Sequence, residues 1–159
     1  MNPYRTERAE GAEFVSTHLL GRTTLLTRLL AREVGGGLSI TEAGLLRSLT
    51  ERPRRITALA DGEGLAQPTT TLLVNRLERE GLVERERQGH DRRVVLVRLT
   101  EQGAAALEEF RGRVIDALRG HLDELTHEQV EALVAATDAL QGLIDALLGD
   151  AVARARVPG

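Results

Sequence analysis

The chain has 159 residues, 42% of them hydrophobic and 28% charged, with a net charge of −3, and this length suits one domain, or one compact domain with an appended dimerisation element. It contains no cysteine, which excludes disulfides, thiolate metal sites and cysteine-based redox sensing. The chain has no run of about 18 apolar residues, the length that would indicate a membrane span. Residues 1–13 lack the apolar region of a signal peptide. We therefore expect a cytoplasmic protein with no membrane partner.

Two helices are predicted in the first third of the chain. Apolar side chains at helical spacing predict a first helix over residues 12–34, and the three glycines at 35–37 end it. Ser39 and Glu42 have the spacing of a capping box, which predicts that a second helix begins there. Pro53 ends that helix.

The stretch from Ile56 to Thr100 predicts a helix, a turn, a second helix and a β-hairpin. The predicted boundaries are a third helix over residues 57–61 with Thr57 as its N-cap, a turn at 62–64, a fourth helix from Gln67-Pro68 to Glu80, and strands over 83–87 and 94–99 joined by 88–91. This order is the layout of a winged helix-turn-helix, in which one helix is sized for the DNA major groove. An arginine-tipped hairpin beside it can reach the adjacent minor groove.

Two more helices are predicted after the hairpin. Thr100 and Thr126 have the positions of N-caps, the first for a helix that reaches about Leu122 and the second for a sixth helix. Apolar residues in the sixth helix alternate at spacings of three and four, as in a helix-packing seam. The polar tail from Gly149 is predicted to fray.

Positive charge is concentrated around the predicted helix-turn-helix. Residues 52–98 contain ten Arg and seven acidic residues, whereas the rest of the chain contains 11 Arg and 17 acidic residues. This asymmetry is expected when one segment faces phosphates and the other does not. It indicates a nucleic-acid partner even though the net charge is negative.

The fourth helix is predicted to read DNA with one of its faces. Thr70, Leu73, Val74 and Leu77 fall on the side that packs against Leu59 in the third helix. The opposite side presents Pro68, Thr69, Thr71, Leu72, Asn75, Arg76 and Arg79.

Each of these outward side chains suits a particular contact. Thr69 and Thr71 can bond base edges or touch a thymine methyl, while Leu72 reads only by apolar contact. Asn75 suits a base edge or a phosphate, and Arg76 suits a phosphate. The alternative is that these residues only keep a surface helix soluble, and the hairpin that follows favours DNA binding.

The hairpin adds a second cluster of charge. Its arginines are Arg85, Arg87, Arg92, Arg93 and Arg98. An arginine at the tip of such a ribbon fits a narrow, electronegative minor groove over A·T-rich sequence. Asp91 is compatible with a nearby phosphate if it pairs with Arg93 and fixes the shape of the ribbon. The alternative is an ordinary charged hairpin whose arginines pair with Glu84 and Glu86.

These motifs resemble the DNA-binding domain of the MarR family of transcriptional regulators. The motifs that carry the resemblance are Gln67-Pro68-Thr69, Val74-Asn75-Arg76-Leu77-Glu78, Gly81-Leu82-Val83, the Asp91-x-Arg93 wing, and Val97-x-Leu99-Thr100. The helix order extends the resemblance more loosely over nearly the whole chain.

The resemblance implies a fold that is mainly α with a small β-hairpin wing (α+β). In this fold residues 1–37 are an N-terminal dimerisation helix, residues 38–100 are a winged helix-turn-helix DNA-binding domain, and residues 101–159 are C-terminal dimerisation helices with a short tail. Three positions depart from the family pattern. Leu72 stands where members often have Arg, Ala66 where a capping Ser is common, and Ala43 where an aromatic often lines the ligand cavity.

The resemblance also implies partners and site residues. Family members are obligate homodimers that bind palindromic operators in double-stranded DNA, and many are repressors released by small aromatic or phenolic effectors. It implies that Arg93, with Arg92 beside it, enters the minor groove while Asp91 braces the wing. The predicted DNA-binding residues are Gln67, Pro68, Thr69, Thr71, Leu72, Asn75, Arg76, Arg92 and Arg93. The predicted ligand pocket contains His18, Arg22 and Ala43.

Catalysis and metal binding have little support in the sequence. The chain has no cysteine nucleophile, no Gly-x-Ser-x-Gly elbow and no phosphate loop, so we expect no enzyme, no catalytic residue and no cofactor. The four histidines are scattered, and no two lie at i and i+4, so we expect no metal. His18 has two interpretations, a cavity or interface residue and an ordinary partly buried histidine.

Three functions stay open at this point. The main prediction is a homodimeric, sequence-specific repressor of a nearby transporter, detoxification or metabolic gene, released by a small aromatic or phenolic ligand. The alternatives are a winged-helix protein-interaction module that no longer reads DNA, and a nucleoid-type protein that binds DNA without sequence preference. Sequence-selective, salt-sensitive binding distinguishes the first from the other two.

Overall fold

The computed structural model describes the backbone of residues 3–88 and 91–155, and side chains of residues 8–87 and 95–149. Within these residues the elements are α1 (Pro3–Val34), α2 (Ile40–Ser48), α3 (Ile56–Glu63), α4 (Gln67–Arg79), β1 (Val83–Gln88), β2 (Asp91–Leu99), α5 (Glu101–Leu122) and α6 (His127–Ala155). The chain divides into two compact units, Met1–Ala117 and Leu118–Gly159. The predicted class, mainly helical with one small antiparallel hairpin, is confirmed.

Helix α1 begins nine residues earlier than predicted and ends where predicted. It starts at Pro3, a residue whose fixed φ suits the first turn of a helix. The polar residues that follow lack the apolar periodicity on which the prediction depended, yet they contain no helix-breaking residue before Gly11. Gly35, Gly36 and Gly37 all have positive φ, between 49° and 77°, a conformation that glycine adopts without steric cost.

Helix α2 begins at the predicted capping box. The Ser39 amide donates to Glu42 Oε2 at 2.8 Å, and the Glu42 amide donates to Ser39 Oγ at 3.2 Å. This reciprocal pair satisfies two amide groups that the first turn of a helix leaves without partners.

The predicted limits of α3 were wrong at both ends. The N-cap is Arg55, whose side chain makes no capping bond, and Thr57 lies inside the helix. The start is set by a bridge in which Arg54 and Val97 exchange two backbone hydrogen bonds, 3.0 and 2.7 Å long. Once the chain leaves this pairing it turns directly into α3, which continues to Glu63 and ends at Gly64 in the left-handed conformation (φ 62°).

The core of the first unit lies among α2, α3, α4 and the hairpin. Its fully buried apolar side chains are Leu45, Leu46, Leu59, Leu77, Val74, Val83 and Val97. Strands β1 and β2 pair antiparallel from Val83 opposite Leu99 to Arg87 opposite Val95, and the register shifts after Arg87. The alternation of apolar and charged residues buries Val83 and Val97 and leaves Glu84 and Arg98 exposed.

Thr100 joins the hairpin to α5, as the sequence predicted. Its hydroxyl accepts a 2.9 Å hydrogen bond from the Gly103 amide and donates a 2.7 Å bond to the Gly81 carbonyl. Gly103 is buried against Leu82. These contacts fix the first turn of α5 against the end of α4 and the start of β1.

The second unit contains the end of α5 and α6. The Thr126 amide donates to Gln129 Oε1 and the Gln129 amide donates to Thr126 Oγ1, which confirms Thr126 as the cap of α6. The prediction of a frayed tail from Gly149 was wrong in part, since the helix continues to Ala155. Glycine costs a helix only about 1 kcal/mol relative to alanine, and the alanine-rich residues after Gly149 favour the helical conformation.

Helix α6 is apolar but unburied within the single chain. The segment His127–Gly149 has a mean hydropathy of 1.4 and is long and apolar enough to cross a membrane by length and composition alone. Its apolar residues do not form one unbroken run, because Glu131, Asp138 and Asp145 interrupt them. Its exposed large apolar side chains are Leu133, Val134, Leu143, Ile144, Leu147 and Leu148.

Candidate nucleic-acid interface

Helix α4 has the two faces that its sequence predicted. Thr70, Val74 and Leu77 are buried, and Leu73 is half-buried against the same core. The opposite face is exposed at Gln67, Pro68, Thr69, Leu72, Asn75, Arg76 and Arg79. The helix therefore presents a continuous outward strip along its 13 residues.

The start of α4 leaves backbone amides available. Ala66, which stands where a capping Ser is common in the family, is the N-cap and makes no side-chain capping bond. Pro68 lies in the first turn, where the absence of an amide hydrogen carries no penalty. The exposed N-terminus of a helix attracts anions through its unpaired amides and its dipole, which suits a DNA phosphate.

Thr69 and Thr71 differ in what they offer to a partner. Thr69 is exposed, as predicted. Thr71 is only half-buried rather than fully outward, and its hydroxyl donates to the Gln67 carbonyl at 2.9 Å. Thr69 is therefore the better placed of the two to bond a base edge.

Asn75 is held by the first strand of the hairpin. Arg85 Nη2 donates to Asn75 Oδ1 at 2.6 Å, and Arg85 Nη1 forms an ion pair with Glu78. This arrangement connects α4 to β1 through side chains ten and seven residues apart. It also directs the charge of Arg85, which was predicted to add to the wing, towards the side of α4.

Arg76 also makes contacts inside the chain. Its Nη1 lies 3.2 Å from Glu42 Oε1, and its Nε donates to Glu80 Oε1 at 2.9 Å. The hydrogen bond with Glu80 and the negative charges of Glu42 and Glu80 raise the pKa of Arg76. Because the guanidinium is half-exposed while Glu42 is fully buried, Arg76 anchors α4 to α2 and keeps one side towards solvent.

Glu42 is a buried residue whose contacts the sequence predicted only in part. The capping-box spacing predicted its bond to Ser39, but nothing in the sequence indicated its contact with Arg76, 34 positions later. A buried carboxylate needs hydrogen bonds or a counter-charge to offset its lost hydration. Glu42 has both, and it couples the start of α2 to the exposed face of α4.

The predicted wing residues fall at the start of β2. Asp91, Arg92 and Arg93 belong to that strand, and their side chains lie outside the described residues. The insertion of Arg93 and Arg92 into a minor groove and the bracing role of Asp91 therefore stay predictions.

The rest of the hairpin agrees in part with the alternative that its arginines pair with acidic neighbours. Arg98 pairs with Glu84 across the two strands. Arg85 pairs with Glu78 of α4 rather than with a hairpin glutamate. Arg87, near the tip, is exposed and has no ion-pair partner among the described residues. Arg87 is thus the one described arginine of the hairpin whose charge is not engaged in an ion pair with a described residue.

A solvent-open cavity of about 880 Å³ lies between α2 and α5 within the first unit. Apolar side chains from both helices line it, including Leu107, Phe110 and Val114, together with the charged Arg47, Glu63, Glu108 and Arg111. Ala43 lies in its wall, as the predicted ligand pocket requires.

His18 and Arg22 do not line this cavity. They lie on α1, where the His18 ring stacks on Phe14 with centroids 4.4 Å apart and the Arg22 guanidinium lies 5.3 Å from the Phe14 ring centre. The prediction that His18 is a partly buried histidine was wrong for the single chain, in which it is exposed. The single chain therefore does not bring the three predicted pocket residues together.

Among the described residues, no group of three or more histidine, aspartate or glutamate side chains is arranged to hold a metal ion. The nearest to a cluster in the sequence is the turn around His121 and Asp123. That turn lies at the end of α5, where such residues are common on a solvated surface.

Residues 38–95 match the MarR family. The HTH-type transcriptional regulator YwhA of Bacillus subtilis is 35% identical over 71 residues, which are 45% of this chain and 51% of that protein. The chain spans about half the length of the curated relatives it matches.

Solved structures extend the similarity over most of the fold. A MarR family protein from Bacillus stearothermophilus is 25% identical, with a TM-score of 0.65 over 91% of this chain and 99% of that one. A mutant form of MarR from E. coli is 26% identical, with a TM-score of 0.65 over 77% of this chain and 96% of that one. The winged helix-turn-helix and its flanking helices are therefore similar to those of DNA-binding transcriptional regulators.

Proposed function

We propose that this chain, in which residues 38–95 form a MarR family domain, is a sequence-specific, DNA-binding transcriptional regulator that acts as a homodimer. The observation that carries the proposal is the outward strip of α4, held beside a basic hairpin by the Asn75–Arg85 hydrogen bond. A recognition helix in the major groove with a ribbon over the neighbouring groove is a standard geometry for reading duplex DNA.

The proposed contact of each group with DNA follows from its charge and its position on the protein surface. The helix N-terminus at Gln67 and the guanidinium of Arg76 contact phosphates, since both carry positive charge at the exposed edge of α4. Thr69, Leu72 and Asn75 face base edges. Arg93, with Arg92 beside it, enters the minor groove, and Asp91 braces the wing.

The homodimer is supported by apolar surface that one chain leaves uncovered. Helix α1 exposes Phe14, Val15, Leu20, Leu25, Leu26 and Leu29, and α6 exposes a further six large apolar side chains. A soluble protein rarely leaves apolar surface of this extent in water. A second copy of the chain covers these faces, which also accounts for the apolar α6 without a membrane and agrees with a cytoplasmic regulator. Light scattering should give twice the 17.3 kDa of one chain.

The proposed regulator is a repressor of a nearby transporter, detoxification or metabolic gene that a small aromatic or phenolic ligand releases. The cavity between α2 and α5 supports this part, because its volume is within the range of small-molecule sites. A ligand there contacts α2, which Glu42 connects to Arg76 in α4, so occupancy can alter the position of the recognition helix.

The wing gives the most direct test of DNA binding. We expect the Arg93→Ala variant to bind the chain's own upstream region about tenfold or more weakly than the parent, because a specific groove contact is worth roughly 1–3 kcal/mol and a dimer makes it twice. Fluorescence anisotropy at several salt concentrations measures the effect. Arg8→Ala, which removes an exposed arginine of α1, is the matched charge control.

The same measurement distinguishes the other candidate functions. Unchanged affinity in Arg93→Ala would remove the wing from the mechanism. Binding that is salt-sensitive but equal for unrelated duplexes would indicate a nucleoid-type protein. No salt-sensitive binding by a folded dimer would indicate a protein-interaction module instead.

A further inference from the structure

Leu72 is unusual among the apolar residues of the winged helix. It is 70% exposed, and it is the one large hydrophobic side chain described between residues 38 and 100 that is mostly in solvent. A single exposed leucine needs no explanation by itself. The position of Leu72 does need an explanation. It is the sixth residue of α4 and lies at the centre of the strip that we propose enters the major groove.

The polar side chains that follow Leu72 on this strip are engaged within the protein. Asn75 accepts a hydrogen bond from Arg85, and Arg76 pairs with Glu42 and Glu80. Arg79 Nε donates to the Asn75 carbonyl at 3.4 Å. Leu72 has no comparable contact to retain it on the protein surface.

Two side chains that precede Leu72 enlarge the apolar surface around it. Pro68 lies four residues and Thr69 three residues before it, so all three share one side of the helix. The pyrrolidine ring, the threonine methyl and the leucine side chain form a small exposed apolar patch in the N-terminal half of α4. This half of a recognition helix is the part that contacts base edges.

One base offers an apolar group in the major groove. Thymine carries a C5-methyl there, whereas adenine, guanine and cytosine present hydrogen-bonding groups. We propose that Leu72 is a specificity-determining residue that packs against a thymine methyl in each operator half-site. The inference rests on the proposed function, since it names how the same interface selects its sequence.

The test uses the full chain and an operator selected from a random duplex library. Each thymine of one half-site is replaced in turn by deoxyuridine, which removes the methyl and leaves every hydrogen-bonding group in place. At one position we expect the parent protein to lose about fourfold in affinity, the value for one buried methyl-sized group. Deoxyuridine at the other positions serves as the matched control for the DNA.

Two variants assign that loss to Leu72. Leu72→Ala truncates the contact and Leu72→Gln retains its length with a polar end. Both substitutions lie on an exposed position, so circular dichroism and light scattering should match those of the parent. We expect both variants to bind thymine and deoxyuridine duplexes equally at that position, while Leu72→Met retains the discrimination.

Each outcome has a definite meaning. Deoxyuridine without effect at every thymine would overturn the inference and leave the proposed function intact. A methyl effect that persists in Leu72→Ala would assign the contact to another residue and also overturn it. Failure of the library to yield any preferred sequence would refute the proposed function itself, and the inference with it.

Discussion

Replacement of Gly103 by alanine tests the packing that positions α5 against the winged helix. A Cβ at this buried position would overlap the Leu82 carbonyl oxygen, and it would lie 2.9 Å from the Leu82 carbonyl carbon and 2.8 Å from Leu99 Cδ1. Two of these three atoms belong to the backbone. They cannot rotate away, so the first turn of α5 or the residue before β1 has to move.

The expected loss of stability follows from two opposing terms. Overpacking a well-packed site costs about 1–3 kcal/mol, and the backbone contact places Gly103→Ala at the upper end of that range. Alanine recovers at most about 1 kcal/mol through its better helix propensity. The free energy of unfolding should therefore fall by about 2 kcal/mol.

Gly120 provides the matched control within the same helix. It is exposed, and a Cβ built there meets no heavy atom within 4 Å. Gly120→Ala should stabilise the protein by about 0.5–1 kcal/mol, since propensity alone acts there. Urea unfolding at a fixed protein concentration, followed by circular dichroism, measures both variants. A Gly103→Ala protein as stable as the parent would refute the close approach of α5 to Leu82.

The remaining predictions concern the two hydrogen-bonded junctions of the winged helix and use the same unfolding measurement. Glu42→Ala removes buried methylene groups and the carboxylate that accepts the Ser39 amide bond, so the free energy of unfolding should fall by about 2 kcal/mol. Glu42→Gln retains an acceptor for the Ser39 amide and should cost less than about half of that; equal losses would show that charge rather than capping is the main contribution of Glu42. Thr100→Val loses the bonds to Gly81 and Gly103 and should cost about 1–2 kcal/mol, whereas Thr100→Ser retains both. A serine variant as unstable as the valine variant would contradict a role for the hydroxyl.

The sequence predicted those parts of the fold that depend on neighbouring residues. Ser39 with Glu42 and the cap at Thr126 mark helix starts because a capping bond spans only two or three positions. The buried side of α4 followed from the spacing of its apolar residues, since a helix repeats every 3.6 residues. The start of α3 was missed because Arg54 pairs with Val97, and a pairing across 43 positions leaves no local pattern.

In the candidate interface too, the sequence predicted some features and missed others. The sequence by itself determined that α4 has an outward strip from Gln67 to Arg79 and that a basic hairpin follows it, because periodicity and chain order are local properties. Only the tertiary structure decided which of those side chains also bond to other elements of the protein. It joins Arg76 to buried Glu42 and Asn75 to Arg85 and leaves Leu72 uncovered. The physical reason is that an ion pair or a hydrogen bond between separate elements forms only where packing brings their atoms within about 3 Å, and the spacing of residues along the chain does not specify that distance.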